Sequence, residues 1–369
     1  MTEEALLSGE CVGIARTDES AEAAARLRLD QLTKPPGSLG RLEDIAARLA
    51  RVQGTDHPSV SRKAIVLMAG DHGVVAEGVS PYPQDVTWQM VANFAAGGAA
   101  INQLAASVGA DIRLVDMGVA KDISGFAGVI DRNVQRGTAN MALGPAMSRE
   151  IAARAVREGM RVAREAIAEG YAIVGTGEMG IGNTTSAAAL TCALTGADPE
   201  AVVGPGTGLD ADGVARKMEV VERALRANAV ETLDVLGVLA AVGGLEIAGL
   251  AGVVIGCASE GVCVVADGFI SGAAALVAVR MCPAAADYLF ASHRSAEPGH
   301  RVVLEALGLQ PVLELDMRLG EGTGAALAIG IMDAACRMLS GMATFAEAGV
   351  AEETGVSDSD LAEEGPTPA

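Results

Sequence analysis

The chain has 369 residues, half of them hydrophobic, and a formal net charge of −20. That length allows one large or two ordinary domains with a sizeable core, and the acidity argues against nucleic acid or an anionic membrane as partner. One Trp, three Tyr and five Phe stand against 46 Gly, a profile that suits close-packed helices on a parallel sheet.

The opening MTEEALLSGE (1–10) is acidic and lacks the basic region of a signal peptide. Residues 1–50 read as helical and charged, interrupted at KPPGSLG (34–40), where consecutive prolines must break a helix. Six apolar runs follow, each ending in glycine, aspartate or a small polar residue. They are KAIVLMAGDHG (63–73), DIRLVDMG (111–118), YAIVGTG (171–177), GVVIGCAS (252–259), VCVVADG (262–268) and DYLFASH (287–293). Helical periodicity fills most gaps, at 148–170, 210–228 and the apolar 234–250. Strand–helix alternation predicts α/β architecture: a doubly wound, six-stranded parallel sheet flanked by helices. Only 253–259 and 262–268 sit too close for a helical crossover, so one of them is mis-assigned or joined otherwise.

The stretch 234–283 is very apolar, but Glu246, Glu260 and Asp267 divide it into runs too short for a bilayer. Residues 323–342 form a long helix. The expected organisation is a small helical domain from residues 1–60 together with 323–349, and a Rossmann-like catalytic domain over 61–322. The acidic tail 350–369 is expected to have no packed structure. The six cysteines form no C-x-x-C pair and read as reduced, buried thiols in a cytoplasmic protein. The four histidines include no pair at helical ligand spacing, so no metal is expected.

Ligands of open parallel sheets bind outside the carboxyl ends of the strands. That points to Asp71-His72, Asp116, Gly175–Gly182, Ser259, Asp267 and Ser292-His293 as residues that converge on one crevice. GTGEMGIGNTT (175–185) follows a strand and opens a helix at Asn183 or Thr184. Its glycines suit a backbone wrapped around an anion at a helix N-terminus, yet Glu178 puts a carboxylate in the middle. The loop lacks the acidic ribose partner of a dinucleotide fold and the G-K-[ST] of a P-loop. VVGPGTGLDADGVARK (202–217) repeats the glycine-then-helix design, and Lys217 lies two turns into its helix. Two such loops suggest a phosphate held from two sides; a solvated lysine is the plain alternative.

In LDMRLGEGTGAALAIG (315–330), Glu321 stands between glycines before a helix whose N-terminus should keep it ionised. An uncrowded carboxylate in a cleft can serve as general base. In the loop after the first strand, His72 reads as catalytic or, more simply, as held by Asp71 in a turn. Trp88 and Tyr82 line an apolar ring pocket or pack in the core.

Together these motifs resemble the nicotinate-nucleotide:5,6-dimethylbenzimidazole phosphoribosyltransferases of cobalamin lower-ligand synthesis. The matching stretches are LTKPPGSLGRLE, AGDHGVVAEGVSPYPQDVT, GTANM…PAM, GTGEMGIGNTT, GPGTGLD…GVARK, VADGFISGAAAL, ASHRSAEPGH and LDMRLGEGTGAALA, over roughly residues 32–345. The resemblance implies catalysis by Glu321; Glu178, in the glycine loop, is expected to point toward the ribose hydroxyls and the reacting sugar carbon. The resemblance carries a phosphate-binding role onto Gly180, Asn183, Gly206 and Lys217, and the phosphate and ribose site is expected to include Gly177, Gly182, Thr184 and Asp267 as well. The base pocket would draw on Tyr82, Gln89, Met90 and Leu319. It further implies nicotinate mononucleotide and a benzimidazole-type base as partners, no cofactor, and a homodimer. Rival readings are a paralogue activating adenine or a phenolic base, a non-catalytic nucleotide-binding regulator, and a dinucleotide oxidoreductase.

Overall fold

Eight successive residues of the first apolar run, Lys63–Gly70 (β1), are buried, as a strand covered by helices on both faces requires. The computed structural model describes residues 9, 11 and 13–351. Around β1 it assembles β2 (Ala110–Gly118), β3 (Val129–Asp131), β4 (Ile173–Met179), β5 (Cys263–Ala266) and β6 (Leu289–Ala291). The sheet order is β3-β2-β1-β4-β5-β6, and every pairing is parallel. Chain order reverses between β1 and β4, which opens a crevice beyond their carboxyl ends. Register pairs Met68 with Glu178, so the unexpected carboxylate stands at that crevice.

Six strands are present, but not the six expected. Residues 252–259 belong to a helix, Leu245–Ser259, that is buried on all sides; without an amphipathic period such a segment looks like a buried strand. Its glycines reveal the difference. A Cβ on Gly252 would lie 1.9 Å from the Val156 carbonyl oxygen, and one on Gly159 would lie 1.8 Å from that of Gly249. The helix therefore crosses Arg149–Ala168 backbone to backbone. The strand missed in the sequence is β3, three residues at the sheet edge that are not fully buried and so carry no apolar run. The predicted 234–250 helix is likewise split, into Val235–Val242 and Leu245–Ser259, at Gly243-Gly244.

Helices Glu19–Gln31 and Arg41–Gln53 flank the Pro-Pro break. They pack with Thr323–Gly341 from the other end of the chain, which also lies against β4 and β5. Arg28 donates to the carbonyls of Leu339 and Met342. Thr323–Gly341 is the one described helix long and apolar enough to cross a membrane; half of that apolar stretch is buried within the fold. The tail expected over 350–369 lies outside the described residues except for Val350 and Ala351.

The expectation that all cysteines are reduced is corrected. Cys11 and Cys282 form a disulfide across 271 positions of sequence, a spacing no motif reveals. Cys192, Cys257, Cys263 and Cys336 are free and buried, and burial pushes all four thiols well above their usual range.

Candidate active site

The carboxyl ends of β4, β5 and β6 open onto a cavity of about 620 Å³. Glu178, at the end of β4, lines it. The Glu178 Oε2 accepts from Asn183 Nδ2 at 2.5 Å. Burial, reinforced by Asp267, Glu246 and Glu321 and opposed by Asn183, pushes its pKa up to about 8. Burial thus favours the protonated carboxyl near neutral pH.

The glycine loop is shaped more by its neighbours than by an anion. A Cβ on Gly177 would lie 2.5 Å from the Glu321 carbonyl oxygen, one on Gly180 2.4 Å from that of Gly70, and one on Gly182 2.8 Å from Val75. Two of its amides are already engaged: Ile181 N–H donates to Thr87 Oγ1 at 3.1 Å and Asn183 N–H to the Gly180 carbonyl. The anion corner lies further along. Lys217, 1% exposed, donates to Thr184 Oγ1 at 2.8 Å and to the Gly204 carbonyl at 3.2 Å. Burial lowers its pKa to about 8, with Glu297 opposing. Asp210 caps that helix through Gly213 N–H, which sends Lys217 back toward the loop as its position suggested. Gly206 has φ +55° and sits against Thr184 and Lys217. Its N–H, expected to meet a phosphate, instead donates to Glu297 Oε1 at 3.0 Å.

Glu321 has φ +64°, between Gly320 at +84° and Gly322 at +88°, a run of left-handed residues that aims its side chain into the cavity it lines. Its Oε2 is buried with no hydrogen-bond partner among the described residues. The helix N-terminus expected to keep it ionised serves another group. Asp267 accepts from the amides of Gly322 at 3.1 Å, Gly324 at 2.7 Å and Ala325 at 3.0 Å. Burial raises the Glu321 pKa, with the Ile101 backbone opposing; a raised pKa makes it the stronger base. Asp267, 1% exposed, does not line the cavity. Burial, against those three amides, pushes its pKa up to about 7, and it anchors the Glu321 loop from behind.

Tyr82, Val86, Met90, Ile181 and Leu319 give the cavity its apolar wall. Gln89 is exposed and outside that wall. Trp88 is also outside it: its Nε1 donates to Asp85 Oδ1 and Lys121 Nζ lies 3.3 Å from its ring centre.

The partner of His72 is not Asp71. The imidazole is fully buried, with Nε2 2.6 Å from Glu246 Oε1 and Nδ1 3.1 Å from Ser186 Oγ, while Asp71 accepts from Ala120 N–H. Glu246 sits in the helix that the sequence disguised as a strand. Asp116 is engaged by the Gly118 and Val119 amides and by Asn133, and Ser259 ends a helix. Of the expected strand-end residues, 178–181 and His293 reach the cavity, whereas Gly177 and Gly182, expected at the phosphate and ribose site, do not line it. Sequence reasoning gave no role to Ser295, Glu297 and Arg318, which line it too; Arg318 lay only three residues before Glu321, and the other two lay in ASHRSAEPGH. Among the described residues no cluster of three His, Cys, Asp or Glu side chains could hold a metal ion.

A family model described as phosphoribosyltransferase matches residues 14–350. The nicotinate-nucleotide–dimethylbenzimidazole phosphoribosyltransferase of Thermus thermophilus is 54% identical over 333 residues, covering 90% of this chain and 99% of that one. Its namesake from Chloroflexus aggregans is 53% identical over 336 residues, covering 91% and 95%. A crystal structure of the enzyme so named from Thermus thermophilus matches with a TM-score of 0.87 at 52% identity, over 91% of this chain and 100% of that chain. The chain therefore belongs to the nicotinate-nucleotide–dimethylbenzimidazole phosphoribosyltransferase family, and is a pentosyltransferase.

Proposed function

We propose that the protein transfers the 5-phosphoribosyl group of nicotinate mononucleotide to 5,6-dimethylbenzimidazole, releasing nicotinate and forming α-ribazole 5′-phosphate. The observation that carries this reading is one cavity with three unlike parts: the buried Glu178 and Glu321 carboxyls, the Lys217–Thr184–Gly206 corner, and the apolar wall of Tyr82, Met90 and Leu319. They suit the sugar carbon, the 5′-phosphate and the aromatic base of one nucleotide-forming reaction.

The donor carries a pyridinium nitrogen on ribose C1′, so nicotinate leaves that nitrogen neutral and needs no acid. The unprotonated ring nitrogen of the acceptor forms the new C1′–N bond as the old one breaks, from the opposite face. Positive charge grows on the sugar between the two rings. Glu178 stabilises it, and the arriving cation lowers the pKa that burial raised. The acceptor's N–H proton passes to Glu321 Oε2, whose lone pairs no protein group uses. Holding both rings and the base in one enclosed cleft supplies much of the remaining acceleration. In this reading the protein acts as a homodimer in the cytoplasm, and the Cys11–Cys282 disulfide is the one feature a reducing compartment would open.

The test is product analysis after incubation with nicotinate mononucleotide and a panel of bases. An α-linked dimethylbenzimidazole nucleotide with matching nicotinate release supports the reading. Transfer to adenine or a phenol in preference, or no transfer at all, overturns it.

A further inference from the structure

We propose that Arg318 is a positioning residue that couples the donor's 5′-phosphate to the loop carrying Glu321, so that the phosphate contributes to turnover and not only to binding. This rests on the donor being nicotinate mononucleotide. Three observations carry it.

The first is charge. Glu178, Glu297 and Glu321 all line the cavity, and Arg318 is the only lysine or arginine among the described residues lining it; Lys217 stands behind Thr184. Arg318 is exposed, and no described carboxylate makes an ion pair with it. Among the described residues its one hydrogen bond runs from Nη1 to the Gly206 carbonyl at 3.2 Å. A guanidinium without a counter-ion at a cavity that takes a dianion has an evident partner, and its planar fork matches phosphate oxygens.

The second is position. The bond to Gly206 places Arg318 on the same residue that Thr184 and Lys217 crowd from the other side. A phosphate seated there meets Lys217 through the Thr184 corner and Arg318 from the facing loop.

The third is how the Glu321 loop is held. Its far end is tied by Asp267 to the amides of Gly322, Gly324 and Ala325. Its near end is exposed at Glu314, Leu315, Asp316, Arg318 and Leu319; the Arg294–Glu314 ion pair holds its start, and after that the Ala296 N–H bond to the Met317 carbonyl is the last backbone tie among the described residues before Gly320. Glu321, at φ +64°, lies between these two ties, and Asp316, at +53°, just precedes the first; for non-glycine residues such conformations persist only where surroundings impose them. A charge-assisted fork from Arg318 to the bound phosphate supplies the missing constraint three residues before the base.

The experiment compares Arg318→Ala and Lys217→Ala with the unaltered enzyme, on nicotinate mononucleotide and on nicotinate riboside with and without added phosphite. On the nucleotide, Arg318→Ala is expected to lower kcat by about tenfold to a hundredfold, whereas Lys217→Ala acts mainly on KM. On the riboside, which offers no phosphate, Arg318→Ala should stay within about twofold of the unaltered enzyme. Phosphite should stimulate riboside turnover by the unaltered enzyme and fail to do so in Arg318→Ala. An equal loss on both donors, a loss confined to KM, or undiminished phosphite stimulation in Arg318→Ala overturns the coupling. Failure of the unaltered enzyme to use the nucleotide would instead overturn the proposed function, so the two failures are distinguishable.

Discussion

Replacing Glu178 by glutamine should make the protein progressively more stable than the unaltered chain as pH rises. The carboxyl is buried in the cleft, and its pKa goes from 4.5 up to about 8, chiefly through burial. A group whose folded pKa exceeds its unfolded value favours the folded state most below the unfolded pKa. That advantage fades as pH climbs toward the folded value. At about 1.4 kcal/mol per pH unit, the whole window corresponds to roughly 5 kcal/mol. This is an upper bound, because Asp267 and Glu321 relax when their neighbour ionises. Glutamine retains an oxygen for Asn183 Nδ2 and cannot ionise, so it escapes the loss. Thermal melts of both proteins at constant ionic strength should nearly coincide at about pH 5 and differ by several degrees at about pH 8.5. A difference that stays flat across that range would refute the reasoning. The same carboxyl should release its proton when the donor's positively charged pyridinium ring is bound beside it. Calorimetry near pH 7 in buffers of different ionisation enthalpy should therefore report proton release in the unaltered protein, and less of it in Glu178→Gln.

Glu321→Gln should keep the fold, by circular dichroism, and lower kcat by about 10²–10⁴-fold; the penalty should shrink on an N-methylated benzimidazole, which has no N–H proton to lose. Lys217→Ala should raise KM for the mononucleotide more than it lowers kcat, because the Lys217 contact with the phosphate is largely common to ground and transition states. Since burial sets the Lys217 pKa at about 8, the unaltered enzyme's KM for the mononucleotide should also climb above that pH as the ammonium loses its proton. Gly159→Ala should lower Tm, since a Cβ 1.8 Å from the Gly249 carbonyl oxygen forces two core helices apart. Overpacking of this kind costs about 1–3 kcal/mol or more, and an unchanged melting temperature would show that the crossing can open freely.

The α/β class, the parallel sheet and most strand ends were legible in the sequence because they follow from local chemistry. β1 is a continuous apolar run that stops at Gly70-Asp71, and glycine loops lead from strand to helix at Asn183 and from Asp210 into the Lys217 helix. Those signals lie within a few residues of one another, where periodicity and turn chemistry act. Glu321, Glu178 and Lys217 were singled out in the same way, as charged residues in glycine settings that a plain surface does not require.

What the sequence could not disclose depends on neighbours distant along the chain. Residues 252–259 are helical because Arg149–Ala168 meets their glycines at backbone distance, and a run buried on every side has no period from which to read that. His72 takes Glu246, 174 positions away, over the adjacent Asp71. The Gly206 amide faces Glu297, 91 positions on, and the helix N-terminus beside Glu321 is occupied by Asp267. Each is a contest between hydrogen-bond partners, decided by which groups the packed sheet and helices bring within about 3 Å. The protonation states follow from the same packing. The sequence placed the carboxylates at the site, but enclosure in a common apolar interior raises the pKa of Glu178, Asp267 and Glu321, because desolvation belongs to the assembled fold and to no local stretch of chain.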